Sequence, residues 1–136
     1  MRELTGSVDD RGRPLVRVRI PGKDDELLVI LDTAFTGELL LSQQDAQQWG
    51  TLVLDVEADI ELGDRSTLTA KQGLLTIDWL GRELDVTVQV TPNATSRSAS
   101  MRRDGDPVGL LGTTLLNQAL LTIDFPQRRV QLQQQN

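Results

Sequence analysis

The chain has 136 residues, enough for one hydrophobic core and too few for two, so residues 1–136 read as a single domain. It contains no Cys and no His, which excludes disulfides, thiolate or imidazole metal sites, and every Ser-His-Asp or Cys-His nucleophile. A formal net charge of −6 speaks against a nucleic-acid surface, which needs a basic stripe.

The opening Met1-Arg2-Glu3-Leu4-Thr5 has no apolar h-region and no window reaches the length of a membrane span, so the expected location is cytoplasmic, away from membranes. From Leu15 to Ile20 the pattern alternates, with Val16, Val18 and Ile20 on one face and Arg17 and Arg19 on the other, as in a half-buried strand. Asp9-Asp10-Arg11-Gly12 and Pro21-Gly22-Lys23-Asp24 are turn chemistry, so residues 3–20 are expected to form a hairpin and 26–31 a further strand. Ser42 is an N-cap for a short helix from Gln43 to Trp49, closed by Gly50. Strands are expected at 52–62, 67–78 and 84–90, separated by Gly63-Asp64-Arg65-Ser66 and Leu80-Gly81-Arg82-Glu83.

Residues 91–107, rich in Ser, Asn, Arg and Gly, read as a long surface loop in which Arg97, Arg102 and Arg103 are solvated charges. The Asn93-Ala94-Thr95 sequon carries no meaning without a secretory signal. A second short helix is expected from Thr113 to Ala119, then a hairpin of Leu121–Phe125 and Arg129–Leu132 turned by Pro126-Gln127, then a frayed Gln-rich tail. Leu74-Leu75-Thr76-Ile77-Asp78-Trp79 echoes Leu120-Leu121-Thr122-Ile123-Asp124-Phe125, which reads either as two hairpins sharing strand propensities or as two related halves. Trp49 and Trp79 read as packing residues.

Asp32 stands apart. The aliphatic run Leu28-Val29-Ile30-Leu31 delivers it to the small-residue turn Thr33-Ala34-Phe35-Thr36-Gly37. Burying a lone carboxylate is costly and drives its pKa upward, so chemistry is the reason to keep one there. No other Asp has this sequence setting, and one such Asp per chain suggests that a second comes from another subunit.

Asp32-Thr33-Ala34-Phe35-Thr36-Gly37 resembles the Asp-Thr-Gly active-site loop of retropepsin-like aspartic proteases, in the form of the small single-lobed bacterial members. Gly109-Leu110-Leu111-Gly112-Thr113-Thr114-Leu115-Leu116 resembles the second signature of that family, two apolar residues and a Gly opening a helix. Gly6 to Pro14 and the closing Leu121–Phe125 and Val130–Leu132 match its terminal elements, so the resemblance covers nearly the whole chain in order.

The resemblance implies a mainly β, retropepsin-like acid-protease barrel with two short helices, dimeric. It implies an aspartic endopeptidase that acts on an extended peptide or protein and needs no metal or organic cofactor. In such a site water is held between two carboxylates that share a proton, here Asp32 and Asp32 of a twofold-related copy. By resemblance, Thr33 braces the two loops across the subunits and Thr36 hydrogen-bonds near the carboxylate. Leu110, Leu111 and Gly112 support the loop, and Gly63, Asp64, Arg65 and Ser66 form a flap tip where substrate pairs as an added strand.

The match departs at Ala34, where the family nearly always has Gly. An added methyl matters if that position needs φ above zero or the close approach of another backbone. Two other readings follow: a catalytically inactive peptide- or protein-binding module on the same fold, and a structural β-barrel dimer whose Asp32 caps a turn.

Overall fold

The computed structural model describes residues 2–61, 65–92 and 105–135. Ten strands and two short helices follow in the order β1 (Glu3–Val8), β2 (Pro14–Arg19), β3 (Glu26–Leu31), β4 (Leu39–Ser42), α1 (Gln43–Gln48), β5 (Leu52–Glu61), β6 (Thr67–Trp79), β7 (Arg82–Thr91), β8 (Gly109–Leu111), α2 (Thr113–Leu116), β9 (Ala119–Asp124) and β10 (Arg129–Gln134). The strands join in one sheet ordered β5-β6-β7-β4-β8-β3-β2-β1-β10-β9. An extra pairing of β2 with β6 at Arg19↔Asp78 joins strands that are not neighbours in that order and curls the sheet over itself.

The alternation that marks β2 in the sequence does the folding work. Val16, Val18 and Ile20 are buried while Arg17 and Arg19 are exposed, and the buried row meets Leu27, Val29 and Leu31 of β3 in a core shared with Leu41, Val88, Leu111 and Leu132. Each fully buried side chain of this kind stabilises by roughly 1.5–3 kcal/mol relative to exposure. Trp79 lies in this core and Trp49 packs against it.

Local signals set the turns. The Ser42 hydroxyl accepts the Asp45 N–H at 3.2 Å at the start of α1, and Gly50, at φ +82°, ends it in the left-handed region. Leu80 and Gly81, both at positive φ, make the tight link between Trp79 and Arg82 that starts β7. The β9–β10 link is longer, from Asp124 to Arg129, with Arg128 at positive φ. The two echoing segments thus end in different turns, which favours shared strand propensity over two related halves.

Four expectations change. Leu39–Ser42 forms β4, which no alternation announces. The second helix stops at Leu116, because Ala119 pairs with Gln134 and belongs to β9. The Gln-rich end is not frayed: Gln133 and Gln134 sit in the β10 ladder, and Gln135 N–H donates to the Gln118 carbonyl at 3.2 Å. Thr91 ends β7, and residues 105–108 lead into β8. Asn93, Arg97, Arg102 and Arg103 lie outside the described residues, as do Gly63 and Asp64. No helix among the described residues is long and apolar enough to cross a membrane.

Candidate active site

β3 buries Leu27, Val29 and Leu31 and ends at Asp32. The Asp32 N–H still donates to the Leu111 carbonyl at 2.9 Å, continuing the β3–β8 ladder by one rung, and its own carbonyl accepts the Phe35 N–H at 3.2 Å. That second bond closes a tight turn over Thr33 and Ala34. Inside it, the Ala34 N–H donates to Oδ1 of Asp32 at 2.9 Å. A side-chain oxygen bonded to a backbone N–H two residues on is a local motif that fixes the carboxylate's rotamer.

The loop is held from beneath by a chain crossing. β8 inserts between β3, which it pairs in parallel, and β4, which it pairs antiparallel, so Leu110 faces both Ile30 and Leu40. Leaving β8, the chain passes under the loop. The Gly112 N–H donates to the Glu38 carbonyl at 3.0 Å, Thr113 N–H to the Phe35 carbonyl at 2.9 Å and Thr114 N–H to the Gly37 carbonyl at 3.2 Å. The Thr114 hydroxyl donates to the Thr36 carbonyl. Phe35 is buried and anchors the loop from within. At the far end, Oε1 of Glu38 accepts the Thr87 N–H at 2.9 Å and ties the loop to β7.

Gly112 is required by this crossing. A Cβ there would overlap the carbonyl oxygens of Gly37 and Phe35 and the Phe35 ring. The two signature segments of the sequence are therefore one spatial unit.

Asp32 is half-buried, with Thr33 and Ala34 exposed beside it, so the carboxylate faces outward from a single chain. The deepest carboxylate is instead Asp45, at 3% exposure, whose Oδ2 accepts the Ser42 hydroxyl at 2.9 Å at the head of α1. Asp32 stands apart in the sequence as the Asp that ends an apolar run; among the described residues it is Asp45 that is sealed, as a structural cap.

Ala34 is not among the positive-φ residues, which outside Gly are Arg65, Leu80 and Arg128 in the described chain. Its methyl is free of backbone strain and points to the exposed side of the turn. Thr36 contributes its carbonyl to the loop's tie. Leu111 is fully buried, and Leu110 half-buried. Of the flap candidates, Arg65 and Ser66 are described, both exposed just before β6, with Arg65 at φ +68°. Glu38, Phe35, Thr113 and Thr114 were not singled out from sequence, since their role depends on a crossing of segments far apart in the chain. A groove of about 520 Å³ opens elsewhere, between α1 and the base of β5 and β6, lined by Gln43, Gln47, Thr51, Leu52, Val53 and Lys71 among others and not by Asp32.

No protein-family model matches the chain, and no curated protein does. Solved structures do. The chain is similar to the crystal structure of a retropepsin-like aspartic protease from Rickettsia conorii, with TM-score 0.55 and 17% identity over 96% of this chain and 89% of that one. It is also similar to conglutin gamma, a basic 7S globulin from lupine seeds, with TM-score 0.54 and 10% identity over 97% of this chain and 49% of that one. A basic 7S globulin from soybean gives TM-score 0.53 and 12% identity over 98% and 50%. The fold is retropepsin-like, mainly β with two short helices. At these identities the likeness is one of fold, shared here by a protease and by two seed globulins, and the chain spans about half the length of the globulins.

Proposed function

We propose that this chain is an aspartic endopeptidase whose catalytic centre forms from Asp32 and Asp32 of a second copy at a homodimer axis. The observation that carries the reading is the presentation of the Asp32 carboxylate: at the end of a buried strand, rotamer fixed by the Ala34 N–H, on a loop clamped to the Gly112–Thr114 segment. A retropepsin-like fold supports it.

Two carboxyls within a few ångström cannot both ionise readily, so the pair holds one proton and titrates as a unit. The ionised carboxylate accepts a proton from water as the water oxygen attacks the scissile carbonyl carbon. The protonated partner passes its proton toward the carbonyl oxygen, giving a tetrahedral diol. Collapse of that diol breaks the C–N bond as one carboxyl gives its proton to the departing nitrogen and the ionised carboxylate takes the proton of one diol hydroxyl, so acid and amine leave and the pair again holds one proton. Leu111 and Gly112 act as positioning residues by fixing the height and tilt of the loop, and Thr33 braces it across the axis. Arg65 and Ser66, exposed just before β6, stand on the side from which an extended peptide would be covered. No metal or organic cofactor enters the scheme, and the expected setting is cytoplasmic.

A second reading rests on Ala34. Its exposed methyl beside the carboxylate narrows the space a substrate backbone or a partner loop would enter, which suits a catalytically inactive peptide- or protein-binding module on the same fold. Peptide cleavage by the wild type, lost in Asp32→Asn with the dimer intact, tests the first reading. Peptide binding without turnover in the wild type would establish the second.

A further inference from the structure

The strand register carries one row of side chains across the face of the sheet on which Asp32 opens. Ile30 pairs with Leu110, Leu110 with Leu40, Leu40 with Gln89 and Gln89 with Gln72, and directly paired residues share a face. All five are half-buried, whereas Leu31, Leu111, Leu41 and Val88, their neighbours along the strands, are buried on the other face. Asp32 follows Ile30 by two residues, and its N–H continues the ladder to Leu111, so alternation puts its carboxylate on the face of the row. The row changes chemistry midway. Its half nearest Asp32 is aliphatic, and its far half is two carboxamides. Nε2 of Gln72 donates to Oε1 of Gln89 at 2.7 Å, and Nε2 of Gln89 returns a longer bond to Oε1 of Gln72 at 3.4 Å. A primary carboxamide has two N–H donors and an oxygen that accepts twice. The reciprocal pair uses half of that capacity, so each glutamine keeps a donor and an acceptor for a ligand.

We propose that this row selects the substrate: Ile30, Leu110 and Leu40 seat an apolar side chain near the cut, and Gln89 with Gln72 reads a carboxamide side chain, Asn or Gln, farther along the peptide. Gln89 lies three strands from β3, about 14 Å at ordinary strand spacing, which an extended peptide covers in roughly four residues. A carboxamide is the group that fits. It gives an N–H to the free acceptor and takes one from the free donor, completing both glutamines at once. A carboxylate has no proton to give to a Gln oxygen, and a chain with a net charge of −6 does not attract one. An aliphatic side chain would cover both glutamines and strip their remaining N–H and C=O groups of water without replacing it. For a half-buried pair this amounts to discrimination of about tenfold to a hundredfold. The cut itself rests on the Asp32 reading; the choice of peptide rests on the row, which binding alone can probe.

The test uses the full chain and a set of extended Leu-Ala peptides in which a single Asn is moved along the frame, each with Asp, Leu and Lys counterparts at the same position. At one offset from the cut, the wild type should cleave the Asn peptide with a kcat/KM about tenfold to a hundredfold above the Asp and Leu counterparts. Gln72→Leu/Gln89→Leu should erase that ratio and favour Leu. Gln89→Glu, which keeps the surface polar, should move the preference at the same offset to Lys, because a carboxylate only accepts. Cleavage with no carboxamide preference at any offset, or a preference that survives these substitutions, overturns the row as selector and leaves the Asp32 pair standing. The same peptides, fluorescently labelled, are titrated by anisotropy against the wild type and Asp32→Asn. If the wild type cleaves none of them, tighter binding of an Asn peptide that Gln89→Glu abolishes upholds the row and overturns the Asp32 pair. Binding without that preference, or no binding at all, overturns the row.

Discussion

The Ala34 N–H lies 2.9 Å from Oδ1 of Asp32, and Ala34 itself holds no positive φ. The bond that orients the carboxylate is thus made by a backbone that any residue can adopt, and the methyl's effect is one of space. Ala34→Gly should then act in two directions at once. Stability should fall by about 0.5–1 kcal/mol, because Gly gives the unfolded chain more freedom and relieves no strain. Peptide turnover should rise, roughly tenfold, since about 1 Å of misplacement at a reacting centre can cost a hundredfold. Parallel denaturation and kcat/KM measurements check both; turnover that falls with stability would make the methyl innocent.

Gly112 sits where the chain passes beneath the loop, against the carbonyls of Gly37 and Phe35. These are backbone atoms that cannot rotate away. Gly112→Ala should destabilise by about 1–3 kcal/mol or more, as overpacking does, and should disturb the Asp32 loop first. Chemical denaturation with amide exchange of residues 32–38 is the measurement.

Glu38 ties the loop's end to β7 by accepting the Thr87 N–H, and its carbonyl accepts the Gly112 N–H. Only the first bond uses the side chain. Glu38→Ala leaves a half-buried N–H without that acceptor and should cost about 1–3 kcal/mol, whereas Glu38→Gln keeps an oxygen there and should cost much less. Equal losses in the two variants would mean that the charge, not the acceptor, matters.

Asp9 sets an acid dependence at the β1–β2 turn. Desolvation pulls its carboxyl upward, but the Arg13 backbone N–H, the Arg13 side chain and the Arg11 N–H together outweigh it and hold the pKa below the ordinary 3.8. A carboxylate lowered on folding contributes stability that is present above its unfolded value and is lost as pH falls through the lowered one. Asp9→Asn should therefore make unfolding less sensitive to pH below about 4, and leave the wild-type and variant curves parallel near neutrality. Parallel curves down to pH 2 would show that the ion pair with Arg13 carries no such linkage.

Period-2 alternation was enough to place β2, and turn chemistry was enough to frame β1–β3 and the hairpins. The Asp32 loop was legible as a motif because an apolar run that ends in Asp-Thr and small residues is locally odd. What was not legible depends on non-local pairing. Leu39-Leu40-Leu41 has no alternation of residue type, and it is pairing with β7 at one edge and β8 at the other that makes it a strand. Ala119 and the terminal glutamines have helix or coil propensity, and only the ladder between β9 and β10 makes them strand. Glu38 and Thr114 look like ordinary polar residues until β8 and α2 pass beneath them. Asp45 sits in a polar run and gives no sign of burial, which comes from α1 packing onto β4.

The most direct test of the central claim is cleavage of a diverse peptide library between about pH 3 and 7, wild type beside Asp32→Asn, with both proteins first shown to be dimers of the same size. The account predicts a bell-shaped pH dependence in the wild type, as expected for a carboxyl pair that must hold one proton, and no turnover in Asp32→Asn. Equal turnover in the two proteins, or none from a dimeric wild type at any pH, would contradict it.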